Sequence, residues 1–217
     1  EFSLADTAVM HLGATAFSVY NSSSAEQAQH VFRNAGNRVV VTERQFLPRV
    51  LESRTPEIEH IVLVDGADAG TITLQDLAQR RVPGFDFDGA WRAVQPDDVV
   101  TLIYTSGTTG PSKAVQLTHG SVLFQTRGVA AILGLQADGR SISYLPSAHV
   151  GDRCLTHYGA SLCFGNSVTS ITDHRQVGLA LVEVRPTVFG GVPRVWEKLK
   201  AGLEAAGVTD PVKLPEQ

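Results

Sequence analysis

Hydrophobic positions along the chain alternate between two patterns. Arg38-Val39-Val40-Val41-Thr42, His60-Ile61-Val62-Leu63-Val64 and Val99-Val100-Thr101-Leu102-Ile103-Tyr104 are short, nearly unbroken apolar runs. Such runs predict strands buried on both faces. Between them lie segments of helical spacing. Residues 5–12 predict a helix stopped by Gly13, followed by a short strand at Ala16–Tyr20. Ser23 and Glu26 predict a capping box for a helix running to Asn34 and closed by Gly36. A further helix is expected near 44–53.

Beyond the third apolar run the pattern predicts a helix near 119–134 and a strand near 141–145. Helices near 151–162 and 174–184, a strand at 187–190 and a helix from Pro193 to about Ala206 complete it. The fold class this predicts is α/β, with mostly parallel sheets flanked by helices. Residues 81–98 carry Pro83, Gly84, Pro96 and scattered aromatics. They read as a connection between an α/β unit at 1–80 and another at 99–217, or as an irregular surface loop within one domain.

Composition narrows the function classes. The 217 residues are 43% hydrophobic and 18% charged, with a net charge of -4, enough apolar content for a core and too much for disorder. Acids outnumber bases, 22 to 18, which argues against a nucleic-acid binder working through a basic surface. No apolar run is long enough for a membrane-spanning helix. Cys154 and Cys163 cannot form a disulfide framework and fit a reducing, cytoplasmic setting, with membrane association left open. Together with His157 they match no common zinc spacing, so no metal site is assigned and both cysteines are expected to be small buried apolar groups.

The chemistry concentrates in Thr105-Ser106-Gly107-Thr108-Thr109-Gly110-Pro111-Ser112-Lys113, directly after an apolar strand. Glycines let backbone N–H groups approach a ligand, hydroxyls donate to oxyanions, and Lys113 brings a mobile positive charge. A polyphosphate needs that combination, although a Ser/Thr/Gly surface turn has the same composition. Two familiar phosphate motifs do not fit. Gly107 and Gly110 are too close together for a Walker loop, and Ala114 follows Lys113 where that loop has Ser or Thr. No Gly-x-Gly-x-x-Gly fingerprint occurs either.

The stretch Tyr104–Lys113 resembles the signature loop of the adenylate-forming (AMP-binding) superfamily. Ala114 stands where that family usually has Gly. Ser143-Tyr144-Leu145-Pro146-Ser147-Ala148-His149 resembles a segment of its long-chain fatty acyl-CoA synthetase branch, and so does Pro186–Lys198 with its Gly190-Gly191 and Pro-Arg-Val-Trp-Glu. The resemblance implies part of the large N-terminal domain of an adenylate-forming enzyme. It implies a two-step reaction in which ATP and a long-chain fatty acid give an acyl-adenylate and pyrophosphate, after which coenzyme A displaces AMP. ATP, Mg²⁺ and CoA would be the cofactors. Fatty acid and nucleotide would be the binding partners, with peripheral membrane contact plausible because fatty acids partition into bilayers.

By the same resemblance, Thr105, Ser106, Gly107, Thr108, Thr109, Gly110 and Lys113 would hold the nucleotide phosphates, with Thr105 and Lys113 in catalytic roles. His149, Gly190 and Gly191 would line the substrate pocket. Bland roles remain open for several of these residues. His149 also fits a core position, Gly190 and Gly191 a tight turn, Asp152 and Arg153 a surface ion pair, and Trp196 a core anchor.

The family's magnesium-binding Glu motif, ribose-binding Asp motif and C-terminal lid domain with its lysine are not found in the sequence, and the chain opens on Glu1. The expectation is an interior piece of a synthetase. An inactive remnant or fragment, with weak nucleotide binding or a structural role, is the alternative.

Overall fold

A computed structural model describes residues 1–105, 110–135 and 137–207. They form two compact units, 1–125 with 146–150 and 126–145 with 151–207, so the division falls inside a helix. Both mix helices with mainly parallel strands, as the apolar runs predict.

The first unit begins with α1 (Phe2–His11) and α2 (Ala25–Ala35). The capping box of α2 uses Ser24 and Gln27, one residue beyond the expected pair. Ser24 Oγ accepts from the Gln27 N–H at 3.2 Å, and the Ser24 N–H donates to Gln27 Oε1 at 2.9 Å. Gly36, at φ 65°, ends the helix in the left-handed region, where lack of a Cβ removes the steric cost.

Strands β1 (Val39–Thr42), β2 (His60–Leu63) and the short β3 (Ile72–Thr73) form a parallel sheet in that order. Val39 pairs with His60, and Val62 with Ile72. A 3₁₀ turn at Arg44–Phe46 leads into α3 (Leu47–Glu52). Ala28 and Phe32 of α2, Leu47 and Val50 of α3, and Ile58, Ile61 and Leu63 make one buried hydrophobic cluster. Helix α4 (Leu74–Gln79) and helix α5 (Phe87–Ala93) follow. Residues 81–98 lie in this unit and contain α5.

Strand β4 (Val99–Thr105) turns back antiparallel onto β5 (Lys113–Thr118). Strand β5 is not among the elements expected from sequence. The expected strand at Ala16–Tyr20 reduces to one parallel bridge, Ala16 to Thr101, supported by Thr15 Oγ1 donating to the Val99 carbonyl at 2.8 Å.

Helix α6 (His119–Leu133) runs on into the second unit, where β6 (Arg140–Ser143) and β7 (Ser167–Ser170) pair in parallel. Between them Gly151–Cys163 winds with π-type turns, a wide geometry seldom sustained for so long. A 3₁₀ turn at His174–Gln176, α7 (Val177–Val184) and α8 (Pro193–Ala205) complete the unit. The strand expected at 187–190 does not form. Thr187 instead ties to Arg140 of β6, its N–H donating to that carbonyl at 2.9 Å. Arg140 also spans to the end of α7, donating to the carbonyls of Val184 and Arg185.

The second unit's interior mixes charged and polar side chains with apolar ones. Asp152 and Arg153 are buried, with Arg153 at 0% exposure, which corrects their reading as a surface pair. Asp152 Oδ1 accepts from Ser143 Oγ at 2.8 Å, while Arg153 Nε donates to the Tyr158 hydroxyl at 3.2 Å. Asn166 Oδ1 accepts from the Gly139 N–H at 2.9 Å. Cys154 is buried and burial pushes its thiol pKa up, whereas Cys163 is exposed, contrary to expectation.

Candidate functional site

The β4–β5 hairpin builds the candidate phosphate site from its two stems. β4 carries the apolar run into the core, with Val100, Thr101, Ile103 and Tyr104 buried, and delivers Thr105 exposed at its end. Thr105 pairs across the ladder with Lys113, the first residue of β5, so the two stem residues stand side by side. Lys113 is exposed and makes no ion pair with any described residue. Gly110 has φ 89°, and a Cβ built on it would meet nothing within 4 Å. The turn therefore favours glycine for its backbone, and no described residue crowds the space beside it.

Thr105, Gly110 and Lys113 are thus brought together on one hairpin. Ser106, Gly107, Thr108 and Thr109 lie outside the described residues. Ala114 sits within β5 opposite Tyr104, in extended backbone that asks for no glycine.

Neighbouring helix α2 holds both stems, a feature the sequence reading missed. The Tyr104 hydroxyl donates to Asn34 Oδ1 at 2.8 Å, and burial pushes its pKa up. Phe17 lies against the Tyr104 ring at 5.5 Å between centroids. On the other stem His30 Nε2 lies 2.9 Å from the Ser112 carbonyl. A carbonyl only accepts, so Nε2 carries the proton and donates. At the far end of the hairpin His119 follows β5. Its N–H donates to the Asp98 carbonyl at 3.0 Å. Burial lowers the His119 pKa, with the Asp98 charge opposing.

Of the expected pocket residues, His149 belongs to the first unit. It closes a tight turn in which its N–H donates to the Pro146 carbonyl at 2.8 Å. Gly190 and Gly191 belong to the second unit, beside an aromatic group. Tyr144 stacks on Phe189 at 5.6 Å, and Phe189 meets the Trp196 edge at 5.4 Å. The Gly190 carbonyl accepts from the Tyr144 hydroxyl at 3.1 Å, and the Gly191 carbonyl from Trp196 Nε1 at 3.0 Å. A Cβ on Gly191 would come within 2.9 Å of Trp196 Nε1. The glycine is needed so that the indole can lie against the backbone. Trp196 itself is 50% exposed, so it is no core anchor.

Among the described residues no group of three or more His, Cys, Asp or Glu gathers in a way that could hold a metal. No helix of the described chain is long and apolar enough to cross a membrane.

Comparison with known proteins follows the same lines. The family described as AMP-binding enzyme matches residues 1–214. The fadD11 protein of Mycobacterium tuberculosis, which carries the name of a fatty-acid–CoA ligase, is 51% identical over 147 residues. That match covers 66% of this chain and 26% of fadD11. The long-chain-fatty-acid–CoA ligase ACSBG2 of Xenopus laevis is 29% identical over 222 residues, 95% of this chain and 30% of ACSBG2. Among solved structures, the N-terminal domain of FACL13 from Mycobacterium tuberculosis superposes with a TM-score of 0.72 at 22% identity. It covers 97% of this chain and 52% of that one. The fold is shared with that domain. The chain spans between a quarter and a third of the length of these two curated relatives.

Proposed function

The chain belongs to the AMP-binding enzyme family, and from that premise we propose that it supplies the ATP-phosphate-binding part of a fatty acid–CoA ligase. The reaction so assigned joins a long-chain fatty acid to coenzyme A at the expense of ATP, releasing AMP and pyrophosphate. The observation that carries this reading is the hairpin: Thr105 and Lys113 face each other where the signature loop leaves and rejoins the ladder. Similarity to relatives named as fatty-acid–CoA ligases supports the acyl substrate class.

The described stems fit a polyphosphate. A Cβ on Gly110 would meet nothing among the described residues, and Lys113 is exposed and forms no ion pair with a described carboxylate. Lys113 would hold the charge of the outer phosphates as it develops, and Thr105 would donate its hydroxyl beside them. Ser106, Gly107, Thr108 and Thr109 would complete the cradle. Mg²⁺ would share the phosphate charge. CoA would take up the acyl group, and no described residue is assigned to it. His149, Gly190 and Gly191 are proposed for the acyl side of the site.

A second reading is nucleotide binding without turnover. Calorimetric titration with ATP and Mg²⁺ tests the shared element. We expect saturable binding that weakens about 10- to 100-fold in Lys113→Ala, the loss of one charge-assisted contact. A folded sample giving no ATP heat sinks both readings. Acyl-CoA formation from palmitate, ATP and CoA, abolished by Lys113→Ala, selects the first. Binding with no acyl-CoA above a protein-free control selects the second.

A further inference from the structure

We infer that His30 and Asn34 of α2 are positioning residues for the phosphate loop, holding its two stems at a set separation. They do so through the Ser112 carbonyl and the Tyr104 hydroxyl. The inference rests on the reading of that loop as a nucleotide-phosphate site.

Residues four apart lie on one face of an α-helix, so His30 and Asn34 present two polar groups about one turn apart along α2. Each meets a different end of the loop. Asn34 Oδ1 accepts from Tyr104, the residue before Thr105, at 2.8 Å. His30 Nε2 donates to Ser112, the residue before Lys113, at 2.9 Å. The Val31 carbonyl, between them on the helix, stands 3.4 Å from the same Tyr104 hydroxyl.

The helix is fixed independently of the loop. The Ser24–Gln27 box locks its start, Gly36 its end, and Ala28, Val31 and Phe32 anchor it in the core. The hairpin needs such a frame. Tight two-residue turns set their own geometry, whereas the connection between Thr105 and Lys113 runs over residues 106–112. The Thr105–Lys113 pair joins the stems to each other. β4 is held by its own burial, and α2 ties both stems to the body of the unit through Tyr104 and Ser112.

Preorganised donors bind an anion better than donors that must be ordered on binding. Releasing either stem should therefore weaken ATP without touching any group that contacts it. The test pairs disruptive with conservative variants. His30→Leu and Asn34→Leu remove the ties. His30→Gln keeps a donor for the Ser112 carbonyl, and Asn34→Asp keeps an acceptor for the Tyr104 hydroxyl. We expect ATP affinity to fall about 5- to 20-fold in the leucine variants, with recovery to within about threefold in the conservative ones. Amide exchange at Gly110, Ser112 and Lys113 should quicken about tenfold in His30→Leu while exchange at Val62 in the core stays unchanged.

Leucine variants that bind ATP within twofold of the parent, with unchanged exchange at the stems, overturn the inference and leave the phosphate reading standing. Faster exchange at the core and the stems alike also overturns it, because the ties would then serve the fold alone. A folded parent chain that binds no ATP overturns the phosphate reading and the inference together.

Discussion

The interiors of the two units differ in kind. The first is built mainly around one hydrophobic cluster, Ala28, Phe32, Leu47, Val50, Ile58, Ile61 and Leu63, with Asp6, Ser53, Thr55 and Thr101 also buried in that unit. The second buries Asp152, Arg153, His157, Asn166 and Ser141 among Ile142, Cys154, Tyr158 and Val177. A hydrophobic core is non-directional, and its strength follows area removed from water. A polar interior depends on each group finding its partner, and losing one partner leaves the other desolvated and unpaired. The first kind tolerates approximation. The second specifies geometry and fails more sharply.

The largest expected effect is on the second unit. Arg153→Met removes a wholly buried guanidinium and the donor to Tyr158. It should lower unfolding stability by about 3–5 kcal/mol, read by urea denaturation with tryptophan fluorescence. Leu63→Ala, in the hydrophobic cluster, should cost about 2–5 kcal/mol, increasing with the cavity left behind. An Arg153→Met variant as stable as the parent would break the contrast, showing that an apolar side chain serves equally well there.

The smallest effect is at the surface. Asp173 is held down to about 2 by its hydrogen bond from the Arg175 side chain, with the Arg175 backbone N–H adding to this. A depressed carboxylate contributes stability that is present above its ordinary pKa and lost as pH falls through about 2. An NMR titration should therefore place the Asp173 inflection near 2. In Arg175→Gln it should move up toward the usual carboxylate range. Because the pair is exposed, thermal stability near neutral pH should hardly change on that substitution.

Legibility in the sequence followed the same contrast. Apolar runs located β1, β2 and β4, and helical spacing located α2, α6 and α8, because aliphatic burial leaves a periodic trace. The capping box was displaced by one residue. Ser22-Ser23-Ser24 followed by Glu26-Gln27 offers two registers, and only the folded helix start chooses between them. β5 was missed because a strand with half its positions exposed, after a polar loop, lacks an unbroken apolar run. Asp152 and Arg153 looked like surface residues because charge predicts exposure until partners are seen.

The signature loop was legible as a string of residues, and its stems lie where a hairpin would put them. The brace behind it was not. His30 reaches a backbone carbonyl 82 residues away, and a carbonyl has no residue identity to recognise. Tyr104 and Asn34 are likewise ordinary until the fold brings them together.

Strand β1 forms one margin of its three-stranded sheet, and Val39 and Val41 on it are 47% and 42% exposed. A β-branched strand at the margin of a sheet can act as a template for pairing with a neighbouring copy. Arg38, joined to Glu59 at 2.8 Å, places charge at the head of that border, where it discourages such pairing and contributes little to folding energy. Its value lies in how concentrated a solution of the protein can become before molecules begin to stack, a property of the population that no single folded molecule displays.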